Sequence, residues 1–455
     1  MDQRSKIAIL GYGVEGKAIC DYLIKHEYTH ITVCDKNVDL EDELPHGVSV
    51  RLGPNYLDGL TDFDIVFRSP GIRYLEPLIQ SAVAKGLEVT SSTAFFLDQA
   101  PCPVIGVTGT KGKGTTCTLI AEMLKASGKK VHLGGNIGDP AVNFIDKAKG
   151  SDIVVLELSS FQLQDLRKKV SYAILLNTTS DHLDYHADTG EYMQAKEALL
   201  AHQDSEGVAI LNKDYDYIKY YIPLVKGKRC MVSCKEVVGD GAFVKDGEII
   251  FAEGGEQEVI GKTSDIALIG SHNYENVLPA VVMAKEFGVG NKEILKVIKE
   301  FKGLPHRLEF VREFKEVKFY NDSFSTTSET SMAAVDSFDV PTVLIAGGSD
   351  KGLDYGNWAL KILTEVSLKV VILVGETADK MEEEIIEAEK KLGEAEGSPT
   401  KILRRGTLEE AVLDGYAQAE DGGVVVMSPA AASFDKFENY KKRGEAFRSF
   451  VKKLQ

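Results

Sequence analysis

The sequence predicts an α/β fold arranged as three successive domains, and three observations carry that expectation. Short β-branched runs alternate along the chain with amphipathic segments of helical period, the pattern of parallel strands wrapped by helices. Two glycine-rich stretches, GYGVEG at 11–16 and GTKGKGTT at 109–116, each follow an apolar run of strand length. A chain of 455 residues with 44% hydrophobic side chains is long enough to fill more than one core.

In chain order, KIAIL (6–10) and ITVCD (31–35) read as strands that bracket a helix, with GYGVEG between them and Asp35 closing the second strand. That spacing is the dinucleotide fingerprint in outline, so residues 1–100 are expected to form a Rossmann-like domain ending at the proline-containing QAPCPV, 99–104. VIGVTG (104–109) opens a second block in which DIVVLELSS (152–160) and YAILLN (172–177) read as buried strands. KDGEII (245–250) reads as a hairpin from its Asp-Gly pair, and the block closes near LPHR, giving a central P-loop ATPase-like domain over 101–306. Four strand-like runs, VKFYND, PTVLIAGG, KVVILVG and GGVVVMSP, separated by helical stretches, predict a doubly wound third domain over 307–455.

Composition narrows the function. The 69 acidic residues exceed the 53 basic ones, for a net charge of −16, so the surface field repels polyanions and nucleic acid is not expected as a partner. No apolar run reaches the roughly 20 residues that cross a bilayer, so no membrane association is expected. Cysteines stand at 20, 34, 102, 117, 230 and 234 without CxxC spacing, which argues against thiolate metal sites and for a reducing, cytoplasmic setting.

The loop at 109–116 carries the most chemistry. Gly109, Gly112 and Gly114 let backbone N–H groups converge on phosphate oxygens, a helix expected to start near Thr115 adds its positive end, and Lys113 offsets the terminal phosphate charge. The standard phosphate loop places Ser or Thr directly after the lysine to reach Mg²⁺; here Gly114 intervenes and the hydroxyl falls on Thr115 or Thr116. GYGVEG alone supports a nucleotide of some kind, and two such loops in separate domains call for one explanation.

Further motifs supply it: SPGI (69–72), GGNIG (134–138), ELSSFQL (157–163), DHLDYH (181–186), YMQAK (192–196), SHNYENVLPA (271–280), LPHR (304–307), NDS (321–323), GGSDKGLD (347–354) and SPAAASFDKFENYKKRG (428–444). With the two loops, this series closely resembles the Mur ligase family nearly end to end, in particular its D-glutamate-adding members. The resemblance implies an ATP-dependent ligase that joins D-glutamate to UDP-N-acetylmuramoyl-L-alanine, acting as a cytoplasmic monomer. It implies UDP-sugar contacts at Gly13, Val14, Glu15, Asp35, Lys36, Ser69, Pro70 and Gly71, with Asn136, Ser159 and Gln162 on the sugar-peptide side. It implies ATP contacts along Gly109, Thr110, Lys111, Gly112, Lys113, Gly114, Thr115 and Thr116, at Asn273 and Asn276 for the base, and at Arg307 and Asp322. Thr115, Glu157, His182 and Lys196 are the implied Mg²⁺ set, about two ions, with Lys196 resembling a lysine that takes up CO₂ as a carbamate; Lys113, Glu157, His182 and Lys196 are the implied catalytic residues. Thr326, Lys351, Ser433, Phe434 and Tyr440 fall where the family holds the amino acid.

The chemistry is consistent with these residue types. A carboxylate does not accept an amine at neutral pH, so ATP first converts it to an acyl phosphate that the amine displaces, and the crowded anions require cations. One departure stands out: in NDSFSTT, Phe324 occupies the position where the D-glutamate ligases usually carry a lysine, which leaves Lys351 as the expected main cation for D-glutamate. Other readings remain: folylpolyglutamate synthase shares the loop with glycine after the lysine but lacks the GYGVEG domain, an NAD-dependent dehydrogenase would leave DHLDYH unexplained, and a nucleotide-binding regulator would need no catalytic set.

Overall fold

The computed structural model describes residues 1–178, 186, 188–392 and 400–455. They form two compact units, Met1–Ile266 with His272–Glu300, and Ala267–Ser271 with Phe301–Gln455. Among the described residues the first unit holds a five-stranded and a nine-stranded sheet, and the second a six-stranded sheet.

The first sheet comprises β1 (Ile7–Leu10), β2 (Ile31–Asp35), β3 (Ser49–Leu52), β4 (Ile65–Arg68) and β5 (Glu88–Thr90), all parallel in the order β3-β2-β1-β4-β5. IAIL is buried at every position because helices and loops cover both faces, which is why its sequence is apolar throughout rather than alternating. The chain turns through GYGVEG into the helix Val14–Lys25, and a Cβ on Gly16 would lie 2.0 Å from the Gly11 carbonyl oxygen, so only glycine lets the helix pack this close to the strand.

The second sheet comprises β6 (Val104–Thr108), β7 (Val131–Gly135), β8 (Ile153–Glu157), β9 (Tyr172–Leu175), β10 (Val208–Asn212), β11 (Lys228–Ser233), β12 (Gly241–Lys245), β13 (Glu248–Glu253) and β14 (Glu256–Lys262). Their order is β14-β13-β12-β11-β10-β9-β6-β8-β7, parallel except at the β12–β13 and β13–β14 pairs. The expected Asp-Gly hairpin joins β12 to β13, with φ of 51° at Asp246 and 77° at Gly247, the double left-handed geometry that matches strand twist. With β6 between β8 and β9, the carboxyl ends of three strands deliver the glycine loop, Glu157 and Asn177 to one edge, where ligands gather in open α/β sheets.

The third sheet comprises β15 (Glu309–Phe314), β16 (Val317–Asn321), β17 (Thr342–Ala346), β18 (Leu368–Leu373), β19 (Lys401–Arg404) and β20 (Val424–Met427), in the order β15-β16-β20-β17-β18-β19. Only β15 runs antiparallel to its neighbour, and apolar clusters around Trp358 and Phe447 cover the two faces, as a doubly wound sheet requires. One reading is corrected, and one hairpin is new. The helix after the phosphate loop starts at Lys113 rather than near Thr115, because Gly112 in the left-handed region (φ 83°) closes the turn earlier. The β15–β16 hairpin was not anticipated, since its turn, Lys315 (φ 47°) and Glu316 (φ 66°), uses left-handed geometry without glycine or asparagine. Among the described residues no helix is long and apolar enough to cross a membrane.

Candidate active site

The phosphate loop is held from both sides. Thr110 N donates to the Asn177 carbonyl at 2.7 Å and Lys111 N to Asn177 Oδ1 at 3.3 Å, so the residues following β9 fix the loop backbone. On the other side stands the Tyr274–Glu286 helix; a Cβ on Gly112 would fall 2.0 Å from Asn276 Oδ1. Asn276 Nδ2 donates to Asn273 Oδ1 at 2.8 Å, and Asn273 Nδ2 meets His272 Nε2 at 3.1 Å, so the two candidate base-binding asparagines form one chain against the loop. Burial, with the charge of Lys111 adding, holds the His272 imidazole below its ordinary range. Lys113 curls back to donate to the carbonyls of Gly109 and Thr110, each at 3.0 Å. Gly114, Thr115 and Thr116 form the first helical turn, and the Thr116 hydroxyl donates to the Asn276 carbonyl at 3.4 Å.

Glu157 ends β8, level with Val107 of β6, and is 4% exposed. Its Oε1 accepts a hydrogen bond from Asn136 Nδ2 at 2.7 Å, while Asn136 N donates to the Glu157 carbonyl at 2.9 Å. Cys117 lies in the helix behind; burial and then Glu157 push its thiol well above the usual range, which leaves it unreactive. Lys196, from the Thr189–Ala201 helix, is 1% exposed rather than a surface lysine. Its Nζ donates to the Gly109 carbonyl at 3.3 Å and stands 4.1 Å from the centroid of the Tyr192 ring, whose hydroxyl meets Thr110 Oγ1 at 2.9 Å. His182 lies outside the described residues. Among the described residues no group of three His, Cys, Asp or Glu side chains stands ready to hold a metal.

The first sheet supplies a second cluster. Asp35 is turned inward, its Oδ2 accepting from Tyr12 N at 2.7 Å and its Oδ1 from Asn37 N at 2.8 Å, so it clamps the GYGVEG turn. Ser69 Oγ donates to the Gly11 carbonyl at 2.7 Å, while Gly13, Val14, Lys36 and Gly71 are exposed and Pro70 is half-buried. Glu15 accepts from Ser92 Oγ and Gln162 Nε2, and burial pushes its carboxyl above the ordinary value. Gln162 Oε1 in turn accepts from Ser159 N and Oγ, closing a capping box on the turn of helix Ser160–Leu163. Three of the expected substrate residues, Glu15, Ser159 and Gln162, are thus one hydrogen-bonded chain linking the two sheets.

Beside it lies a pair outside the motifs named above. Arg68, at the end of β4, and Asp165 form a fully buried bidentate ion pair, with both N–H···O distances 2.7 Å. Arg68 also donates to the carbonyls of Ile72 and Phe161. An arginine closing the apolar strand IVFR was the signal available. His186 bridges Glu191 and Ser160 at 2.7 and 2.8 Å, another unforeseen link.

In the second unit, NDS, GGSDK and SPAAAS follow the neighbouring strands β16, β17 and β20, so their residues converge at one sheet end. Asp322 is buried, accepting from Ser428 Oγ at 2.7 Å and Leu308 N at 3.0 Å, and desolvation pushes its carboxyl up to about 6. Phe434 N donates to Ser349 Oγ at 3.2 Å, and the exposed Lys351 places its Nζ 4.9 Å from the centroid of the Phe434 ring. Ser433 is buried, Thr326 half-buried, and the Tyr440 carbonyl accepts from Ser323 Oγ at 2.7 Å. The Arg307 guanidinium carbon lies 4.2 Å from the centroid of the Phe324 ring.

Comparison with known proteins agrees with this architecture. Residues 107–284 match the Mur ligase middle domain and residues 5–91 the Mur ligase MurD-like N-terminal domain. The chain is 39% identical to a UDP-N-acetylmuramoylalanine–D-glutamate ligase of Acetivibrio thermocellus, over 100% of this chain and 97% of that one. It is 36% identical to the ligase of the same name from Clostridium tetani, over 99% and 97%. Among solved structures, UDP-N-acetylmuramate–alanine ligase from Thermotoga maritima superposes with a TM-score of 0.59 at 16% identity, covering 99% of each chain. A UDP-N-acetylmuramoylalanyl-D-glutamyl-2,6-diaminopimelate–D-alanyl-D-alanyl ligase from Acinetobacter baumannii gives 0.61 at 16% identity, over 100% of this chain and 92% of the other. The structural likenesses speak for the fold, and the sequence likenesses go further: this chain belongs to the Mur ligase family, alongside the UDP-N-acetylmuramoylalanine–D-glutamate ligases.

Proposed function

We propose that the chain forms an amide bond between D-glutamate and UDP-N-acetylmuramoyl-L-alanine, driven by ATP through an acyl phosphate, as a step in peptidoglycan precursor synthesis. One observation supports this above the others. Lys113 and Lys196 approach the same Gly109 carbonyl, at 3.0 and 3.3 Å, so two cations and a helix N-terminus meet at one turn. Such a site suits a polyphosphate and has no use in a simple strand-to-helix connection. In this reading Lys113 leaves the two carbonyls to neutralise phosphate oxygens, the loop N–H groups hold the chain of phosphates, and Asn273 and Asn276 meet the base. Asn136 keeps the Glu157 carboxylate oriented toward the loop edge.

The residues present fit a divalent cation: Glu157 is a buried carboxylate beside the loop, and with the Thr116 hydroxyl given to Asn276, Thr115 is the hydroxyl we assign to it. Mg²⁺ when bound supplies charge neutralisation for the transferred phosphoryl group. Lys196 is our candidate for carbamylation. As an ammonium it donates to a carbonyl and faces a ring; a carbamate would keep one N–H for the carbonyl but lose the attraction of a positive charge to the ring face. Lys196→Ala retaining full activity would remove it from the catalytic set.

The first-sheet cluster around Glu15, Gln162 and Ser159 is the reading's site for the UDP-sugar, and the second unit's convergence of Thr326, Lys351, Ser433, Phe434 and Tyr440 its site for D-glutamate, with Arg307 and Asp322 toward ATP. The three-domain division at residues 100 and 306 is part of the same proposal, supported by one sheet for each, as is action by a cytoplasmic monomer without nucleic acid or membrane. The test is phosphate release from ATP on adding UDP-N-acetylmuramoyl-L-alanine with a panel of D- and L-amino acids. Release with D-glutamate alone is expected; turnover with a neutral amino acid and none with D-glutamate overturns the substrate assignment.

A further inference from the structure

Arg307 is presented by a turn that the surrounding residues over-determine. Both its neighbours lie in the left-handed region, His306 at φ 64° and Leu308 at φ 43°, a conformation uncommon for residues other than glycine. The turn is held at each position. His306 N donates to Glu309 Oε2 at 2.8 Å, the His306 carbonyl accepts from Phe324 N at 2.9 Å, and its ring meets Asn321 Nδ2 at 3.0 Å. Arg307 N donates to the Leu304 carbonyl at 3.2 Å, and Leu308 N to the Asp322 carboxylate at 3.0 Å. Gly444 leaves room for the imidazole, since a Cβ there would lie 2.1 Å from His306 Nδ1. Strained backbone held this firmly clusters at ligand clamps.

The side chain so presented lies on a ring. The Arg307 guanidinium carbon is 4.2 Å from the Phe324 centroid, and Phe324, still 40% exposed, is braced edge-on by Tyr440 at 5.1 Å. A guanidinium over a ring face is held there by cation–π attraction, and its planar fork of N–H donors matches a carboxylate or phosphoryl group. We propose that Phe324 is a positioning and specificity residue: its ring holds Arg307 as the cation that receives a substrate oxyanion at the carboxyl ends of β16, β17 and β20. This rests on the ligase reading above.

The experiment compares Phe324→Leu, Phe324→Trp, Arg307→Lys and the Phe324→Leu/Arg307→Lys double variant. The KM values for ATP and for D-glutamate are measured separately, with kcat, melting temperature and calorimetric binding of each ligand. Phe324→Leu is expected to weaken one of the two ligands about 3- to 30-fold at near-constant kcat and melting temperature, with Phe324→Trp close to wild type. The double variant should be no weaker than Arg307→Lys alone. Which KM moves says whether the oxyanion is phosphate or carboxylate. Unchanged affinity for both ligands, Phe324→Trp behaving as Phe324→Leu, or effects that multiply in the double variant would each overturn the inference. A wild type that binds both ligands but releases no phosphate overturns the ligase reading, and the calorimetric series still reads the pair.

Discussion

Asn136 and Glu157 are tied twice, side chain to side chain at 2.7 Å and backbone to backbone at 2.9 Å, across the ends of β7 and β8. The carboxylate therefore points where its neighbour's amide sends it. Glu157→Gln should preserve the fold and still leave an acceptor for Asn136, but remove the charge at the end of β8, beside the strand that leads into the phosphate loop. Phosphate release is expected to fall about a hundredfold or more with little change in melting temperature. Activity within tenfold of wild type would show that Glu157 only supports Asn136.

Gly112→Ala puts a methyl group 2.0 Å from Asn276 Oδ1 at a backbone φ of 83°. A left-handed alanine is strained by about 1–3 kcal/mol, and the displaced asparagine belongs to the candidate base site. Weaker ATP binding by calorimetry should accompany a lower unfolding midpoint. Normal ATP affinity would mean that Asn276 can move without consequence.

Removing one member of the buried Arg68–Asp165 pair strands the other charge away from water. Asp165→Leu or Arg68→Leu should each destabilise by about 3–5 kcal/mol in urea unfolding, whereas the double leucine variant should recover most of that loss. Additive losses would show that each residue acts through its other contacts instead.

Asp322 sets a pH dependence. Its carboxyl is pushed up to about 6 from an ordinary 3.8, so the folded chain holds a proton that the unfolded chain has lost between those values. The corresponding stability is fully present below 3.8 and is lost as pH rises through about 6, a change of about 3 kcal/mol. Asp322→Asn, uncharged throughout, should gain on the wild type by that order between pH 4 and pH 7 in denaturant unfolding. A constant difference across the range would contradict the assignment.

Where local chemistry decides the backbone, the sequence was readable: ITVCD is a strand over its whole length, and Asp246-Gly247 turns as its composition requires. Lys315-Glu316 makes the same kind of turn from residues that carry no such signal, because the strands it joins hold it there. β19, KILR, is a four-residue edge strand too short for a period to show. In the candidate site, glycine spacing announced the loop at 109–116, and resemblance alone pointed to Lys196 and Asn276. Arg68 and Asp165 stand 97 positions apart and meet only because two sheets pack, a relation no local pattern encodes.

That pair also bears on how the chain can be dissected. Arg68 belongs to the five-stranded sheet and Asp165 to the segment after β8 in the nine-stranded one, so the two sheets, joined in the chain near Ala100, are stitched by a buried charge pair and by Glu15 with Gln162. A peptide ending there would carry Arg68 and Glu15 without their counterparts, on a face made to be covered. Expressed separately, the two pieces should be poor folders that recover only when mixed, as halves of one body rather than modules on a string.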